Sequence, residues 1–164
     1  MENLIRLEGH FDNKMAQYFK KCLRSCRPEI PIYLRIDSLG GNLHPMNLMS
    51  RLVYYATYNK GCSFIAQIVY AESAALMFAV NIPKRQITSK SLAVIHLPVL
   101  AKGVSLLEQG LDKKRDFAIQ YLASKTKLQA PQILKLDMVP LTNKELMTYG
   151  IATELVEDFE TASA

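Results

Sequence analysis

Val69-Tyr70-Ala71-Glu72-Ser73-Ala74-Ala75-Leu76-Met77-Phe78-Ala79 changes character at a single serine. Upstream, the apolar run Phe64-Ile65-Ala66-Gln67-Ile68-Val69 predicts a buried strand, and downstream the small residues predict a helix packed closely on its neighbours. Ser73 thus falls at a strand-to-helix junction. A serine there projects from the turn, beside the unpaired N–H groups of the first helical turn, where developing negative charge is stabilised. The simpler reading is that Ser73 caps the helix, since serine is a favoured N-cap. What separates the two readings is whether a base, an acid and further N–H donors lie at comparable places elsewhere in the chain.

Working outward, each neighbouring segment ends in the same way. Ile30 to Asp37 predicts a strand that runs into Ser38-Leu39-Gly40-Gly41, where paired glycines allow a sharp turn with uncovered backbone N–H groups. Met46, Leu48, Met49, Leu52, Val53 and Ala56 predict a helix stopped near Gly61. At the start, Leu4 to Gly9 predicts a strand, Asp12 a helix opening, and Met15, Tyr18, Phe19, Cys22 and Leu23 an amphipathic helix closed by Arg27-Pro28. After the serine, Pro83 is expected to end the helix. Two β-like runs follow, Arg85 to Thr88 and Leu92 to Ile95, the second carrying His96 at its end. Helical periodicity spans Val104 to Leu128, and a short helix from Pro131 brings in Asp137. Thr142 with Glu145 then forms a capping-box pattern before Gly150. Strands and helices alternate, which predicts an α/β fold with a largely parallel sheet and a site at the carboxyl ends of its strands.

Composition narrows the function classes. The chain has 164 residues, 49% of them hydrophobic and 21% charged, enough for one globular domain with a substantial core. A net charge of +5 is spread over short mixed runs such as Lys113-Lys114-Arg115, without the aromatic interleaving or motifs that mark nucleic-acid binding. No apolar run reaches the roughly 20 residues of a membrane span. The first residues do not form a signal peptide, so a cytoplasmic protein with free thiols at Cys22, Cys26 and Cys62 is expected. Cys22 and Cys26 lie one helical turn apart, but no further ligand clusters with them, and no metal is expected.

Serine hydrolysis requires a nucleophile, a base, an acid that orients the base, and donors for the oxyanion. Ser73, His96 and Asp137, with the double glycine, supply one of each, while His10 and His44 are weaker candidates for the base. In this order the residues resemble the proteolytic subunit family of Clp protease, within the ClpP/crotonase superfamily. Leu34 to Gly41 is similar to that family's strand ending in Asn-Ser-Pro-Gly-Gly, Val69 to Ala75 to its nucleophile turn, Val94 to Pro98 to its Met-Ile-His-Gln-Pro, and Glu145 to Ile151 to its Glu-Ala-x-x-Tyr-Gly-Leu-Ile. The resemblance implies a spiral of βαβ units over residues 1–164; as departures from the family, a shortened handle segment at about 99–130 and no N-terminal axial loop are expected. It implies Ser73 as nucleophile, His96 as base and Asp137 as orienting acid. Gly41 and Ala74 would be oxyanion donors, and Gly40 and Leu97 would contact substrate. It further implies a homo-oligomeric ring acting on peptides or unfolded protein without a cofactor, with a Clp-type ATPase as a further partner.

Two departures from the family pattern sit in the opening stretch. Val69 replaces the first glycine of the nucleophile turn, and Glu72 replaces the alanine before the serine. A carboxylate at that place either repels the oxyanion or stabilises the protonated imidazole. The departures keep a non-catalytic ClpP-like subunit as an alternative. The shared superfamily keeps a crotonase-type acyl-CoA enzyme as another.

Overall fold

The computed structural model describes residues 3–98 and 110–159. Four strands, β1 (Leu4–Phe11), β2 (Ile32–Gly41), β3 (Phe64–Glu72) and β4 (Lys84–Val94), are parallel neighbours in chain order. They are joined by α1 (Asn13–Ser25), α2 (Leu43–Lys60) and α3 (Ala74–Val80), so each βαβ unit adds one strand to the same edge. The chain continues through α4 (Leu111–Lys125), α5 (Ala130–Lys135), β5 (Pro140–Leu141), α6 (Asn143–Thr148) and β6 (Glu154–Leu155). Both short strands pair with β4, β5 antiparallel near its carboxyl end and β6 parallel nearer its start. This is the expected α/β architecture.

The local signals in the sequence account for most element ends. Asp12 caps α1 by accepting the Met15 N–H at 2.9 Å. Gly61, at φ 68°, closes α2 in the left-handed conformation. Two expectations are corrected, and a third falls partly outside the described residues. α3 stops at Val80, before Pro83, because Asn81 and Ile82 already turn back on the Phe78 and Ala79 carbonyls. The runs Arg85–Thr88 and Leu92–Ile95 are not two strands but one, β4, interrupted by a bulge. Thr88 N–H donates to Ser91 Oγ at 2.8 Å, and Ser91 Oγ donates to the Ile68 carbonyl at 2.5 Å, so hydroxyls replace the missing ladder bonds. The helix expected from Val104 begins, among the described residues, at Leu111; positions 104–109, like the first part of the expected handle, lie outside them.

The bulge in β4 is part of a row. Register shifts occur between Glu8 and His10 of β1, between Ile36 and Asp37 of β2, and between Ile68 and Tyr70 of β3, at one level across all four strands. Bulges bend and twist a sheet locally. Every carboxyl-terminal strand end therefore lies beyond a common kink. Val69 sits at the β3 shift and has no positive φ, which is why a β-branched residue is accommodated there in place of glycine. On β2 the shift is braced by Ser38, whose hydroxyl donates to the Gly9 carbonyl and accepts the Gly40 N–H at 3.0 Å.

The core sits between the sheet and α1, α2 and α3. All seven residues of α3 are buried, and Phe78 stacks against Phe11 and edge-on against Phe19 at 5.7 and 5.9 Å between centroids. The small side chains Ala74, Ala75 and Ala79 allow this helix to lie deep in the core. The far edge is tied by Arg85, whose buried guanidinium donates to the carbonyls of Ile82, Gly150 and Ile151. No helix among the described residues is long and apolar enough to cross a membrane.

Candidate active site

The turn from β3 into α3 holds Ser73 at φ 53°, ψ −124°, a conformation that costs a non-glycine residue roughly 1–3 kcal/mol. The cost is met by packing on both sides. α3 is anchored in the core below, and Gly40 presses against the turn from β2. A Cβ on Gly40 would lie 2.5 Å from the Glu72 carbonyl oxygen, 2.8 Å from Ser73 Cβ and 2.9 Å from Ala74 N. Gly40 itself is at φ +90° and Gly41 at φ +147°, so both glycines are required by conformation and by space. Ser73 does not cap α3 through its side chain, which answers the simpler reading of this residue.

Ser73 and His96 line one cavity of about 600 Å³, together with Gly41, His44, Met77 and Lys114. Another cavity of about 590 Å³ lies between α1 and α2, against Gln17, Leu52 and Tyr55, away from the serine. Backbone donors accompany Ser73. Met77 N–H is the helical N–H that reaches the Ser73 carbonyl, at 3.1 Å, so the Ala74 N–H precedes the intrahelical ladder. Asn42 N–H donates to the Phe11 carbonyl at 2.8 Å. Because N–H groups alternate sides along a strand, the Gly41 N–H faces away from β1.

His96 follows β4, one residue beyond Ile95, which bridges to Asp137 through the backbone. Its Nδ1 lies 2.6 Å from Glu72 Oε1, a distance typical of a charge-assisted hydrogen bond. The other carboxylate oxygen of Glu72 accepts the Tyr70 hydroxyl at 2.5 Å. Burial and then the hydrogen bond to Glu72 push the Tyr70 phenol up to about 12, so it is protonated and donating at neutral pH.

Asp137 is near in the chain path but bonded elsewhere. Its Oδ1 accepts the Leu97 N–H at 2.9 Å, and its Oδ2 faces Arg115 Nη2 at 3.5 Å. The structure thus brings Ser73, His96 and Gly41 to one cavity, with Ala74 buried directly after the serine, and puts Glu72 instead of Asp137 on Nδ1 of His96. Leu97 has its side chain in the core, and Gly40 lies beneath the serine turn instead of in the cavity wall. His10 lies over Gly41 and His44 lines the cavity. The Glu72 contact follows from the strand register. Glu72 pairs in register with Val94, so His96 is its same-face neighbour two residues along, within reach of a long side chain.

No protein-family model and no curated protein sequence matches the chain. Solved structures do. ClpP1 from Listeria monocytogenes superposes with a TM-score of 0.80 at 20% identity, covering 96% of this chain and 92% of that one. Its N165D mutant gives 0.79 at 20%, covering 95% and 92%. With four parallel strands in chain order and a serine turn at the end of the third, the chain has a ClpP-like α/β fold.

Proposed function

We propose that the chain is a serine peptidase that cleaves peptides or unfolded protein in the cytoplasm, without a cofactor. The observation that carries this reading is Ser73 in a strained turn, sharing a cavity with a histidine whose Nδ1 is held by a carboxylate at 2.6 Å. That contact leaves Nε2 as the ring nitrogen to take the Ser73 proton as Oγ attacks the scissile carbonyl. The Gly41 and Ala74 N–H groups would receive the developing oxyanion. The imidazolium then returns its proton to the leaving amine, and water, activated by the same histidine, releases the acyl group from Ser73. A fluorophosphonate probe should label the wild-type protein and not Ser73→Ala. Equal labelling of both overturns the assignment.

The reading extends to assembly. Tyr54, Tyr55 and Tyr58 are exposed on α2, as are Leu39 beside the double glycine and Met138 and Val139 beside Asp137. Apolar surface of this extent favours closed self-association, and a ring would enclose the cavities around a shared interior. The short span between His96 and Asp137 favours a single ring over a stacked pair. Static light scattering should give one ring's mass; a monomer at micromolar concentration overturns the assembly.

A further inference from the structure

We infer that Glu72, rather than Asp137, is the carboxylate that positions His96, with the Tyr70 hydroxyl fixing Glu72 in turn; the inference rests on the peptidase reading above. A base in a triad needs its far nitrogen held by an acceptor that fixes the ring's tautomer and rotation. In this molecule that acceptor is Glu72 Oε1 at 2.6 Å from Nδ1. Glu72 is mostly buried, its side chain 14% exposed, and its second oxygen is engaged by Tyr70, so the carboxylate is fixed at both ends. Tyr70, Glu72 and His96 share one sheet face beyond the register shift, Tyr70 opposite Leu92 and Glu72 opposite Val94. The carboxylate and the nucleophile are therefore consecutive residues of one turn, and any backbone change that moves one moves the other.

Asp137 has a different job in the same geometry. With one oxygen on the Leu97 N–H and the other toward Arg115, it clamps the chain just after His96 and joins it to α4. It positions backbone and does not touch the ring. The charged and titratable groups around the imidazole are Glu72 and Tyr70 from β3, Asp37 from β2 opposite Tyr70, His44 from α2, and Lys114 and Arg115 from α4, the last paired with Asp137. Glu72 is the anion in direct contact. Its removal takes the contacting anion off Nδ1, which disfavours the imidazolium.

The test uses full-length Glu72→Gln, Tyr70→Phe and Asp137→Asn, with folding checked by circular dichroism. Two readouts apply: fluorophosphonate labelling rate against pH, and titration of the histidine ring by NMR on histidine-labelled protein, His96 assigned with His96→Ala. Glu72→Gln should lower the plateau labelling rate on the order of 10⁴-fold, as loss of a triad acid does elsewhere, and move the His96 titration to lower pH. Tyr70→Phe should shift both in the same sense by a smaller amount, and it stands in for Glu72→Gln if that variant does not fold. Asp137→Asn should leave the titration in place. The inference is overturned if Asp137→Asn moves the His96 titration and Glu72→Gln and Tyr70→Phe do not. Absence of Ser73-dependent labelling in wild type overturns the peptidase reading instead, and the NMR titration still decides which carboxylate holds the ring.

Discussion

The turn at Ser73 and the segment around Asp137 both reach His96, but they are held there by different physics. The turn rests on a helix whose seven residues are all buried, on the aromatic cluster of Phe11, Phe19 and Phe78, and on a glycine that leaves no free space. The Asp137 segment is held by a backbone bridge, one hydrogen bond to Leu97, and an ion pair whose arginine side chain is 36% exposed. Core packing is stiff and costly to disturb, whereas half-exposed ion pairs contribute little. The strained backbone of Ser73 lies where the packing is stiff, and the softer arm serves to place a loop.

Substitutions should separate the two arms. Phe78→Ala empties the space under α3 and should cost about 3–5 kcal/mol, on the order of 10 °C in melting temperature for a chain of this size, with Ser73 labelling lost as the turn relaxes. A melting temperature within a degree or two of wild type would show that α3 does not anchor the turn. Gly40→Ala should come next, at about 2–4 kcal/mol from the backbone clash and the positive φ. Its effect on labelling should be out of proportion to its effect on stability, because the atoms it meets belong to the serine turn itself. Calorimetry beside labelling checks this, and parallel losses in the two would sink it.

Asp137→Ala removes one acceptor from a partly buried N–H and should cost about 1–3 kcal/mol. Arg115→Ala should cost less than 1 kcal/mol, since only the ion pair is lost. If Arg115→Ala matched Asp137→Ala in a denaturant titration, the clamp would reside in the charge pair and not in the Leu97 hydrogen bond.

Local signals marked three strands and the turns after them, by the apolar run before Ser73, the double glycine and the β-like run before His96, but β1, β2 and β3 run on to Phe11, Gly41 and Glu72, past the expected ends at Gly9, Asp37 and Val69. Those three signals fixed which loops converge. Local pattern could not find the row of bulges, since Thr88 to Ser91 reads as a break and not as part of one strand. The partner of His96 was hidden for the same reason. Which carboxylate reaches Nδ1 depends on a register counted through those bulges, and Asp137, which bridges to Ile95, turns its side chain to Leu97. Glu72 was visible as a departure, but its direction was not.

The smallest expected effect lies furthest along the softer arm. β5 pairs with Ala93 and Val94 just before His96, and α6 follows it directly, opened by a reciprocal capping box. Thr142 Oγ1 accepts the Glu145 N–H, while Glu145 Oε2 accepts the Thr142 hydroxyl at 2.7 Å and its N–H at 2.8 Å. Those bonds, the hydroxyl first and the backbone N–H second, hold the Glu145 carboxyl below its ordinary value. A carboxyl depressed in the folded state stabilises the protein above the ordinary carboxylate range, and that contribution disappears as pH falls through the depressed value. Thr142→Ala should therefore lower stability at neutral pH by less than Arg115→Ala does, because every bond of the box is exposed and water replaces it. Acidification should shrink the gap between wild type and variant, because the wild type gives up the Glu145 bonds that the variant already lacks. Melting curves at neutral and strongly acid pH measure both; a gap that stays constant across that range would mean the box is not formed in solution and that β5 is held to β4 by the sheet alone.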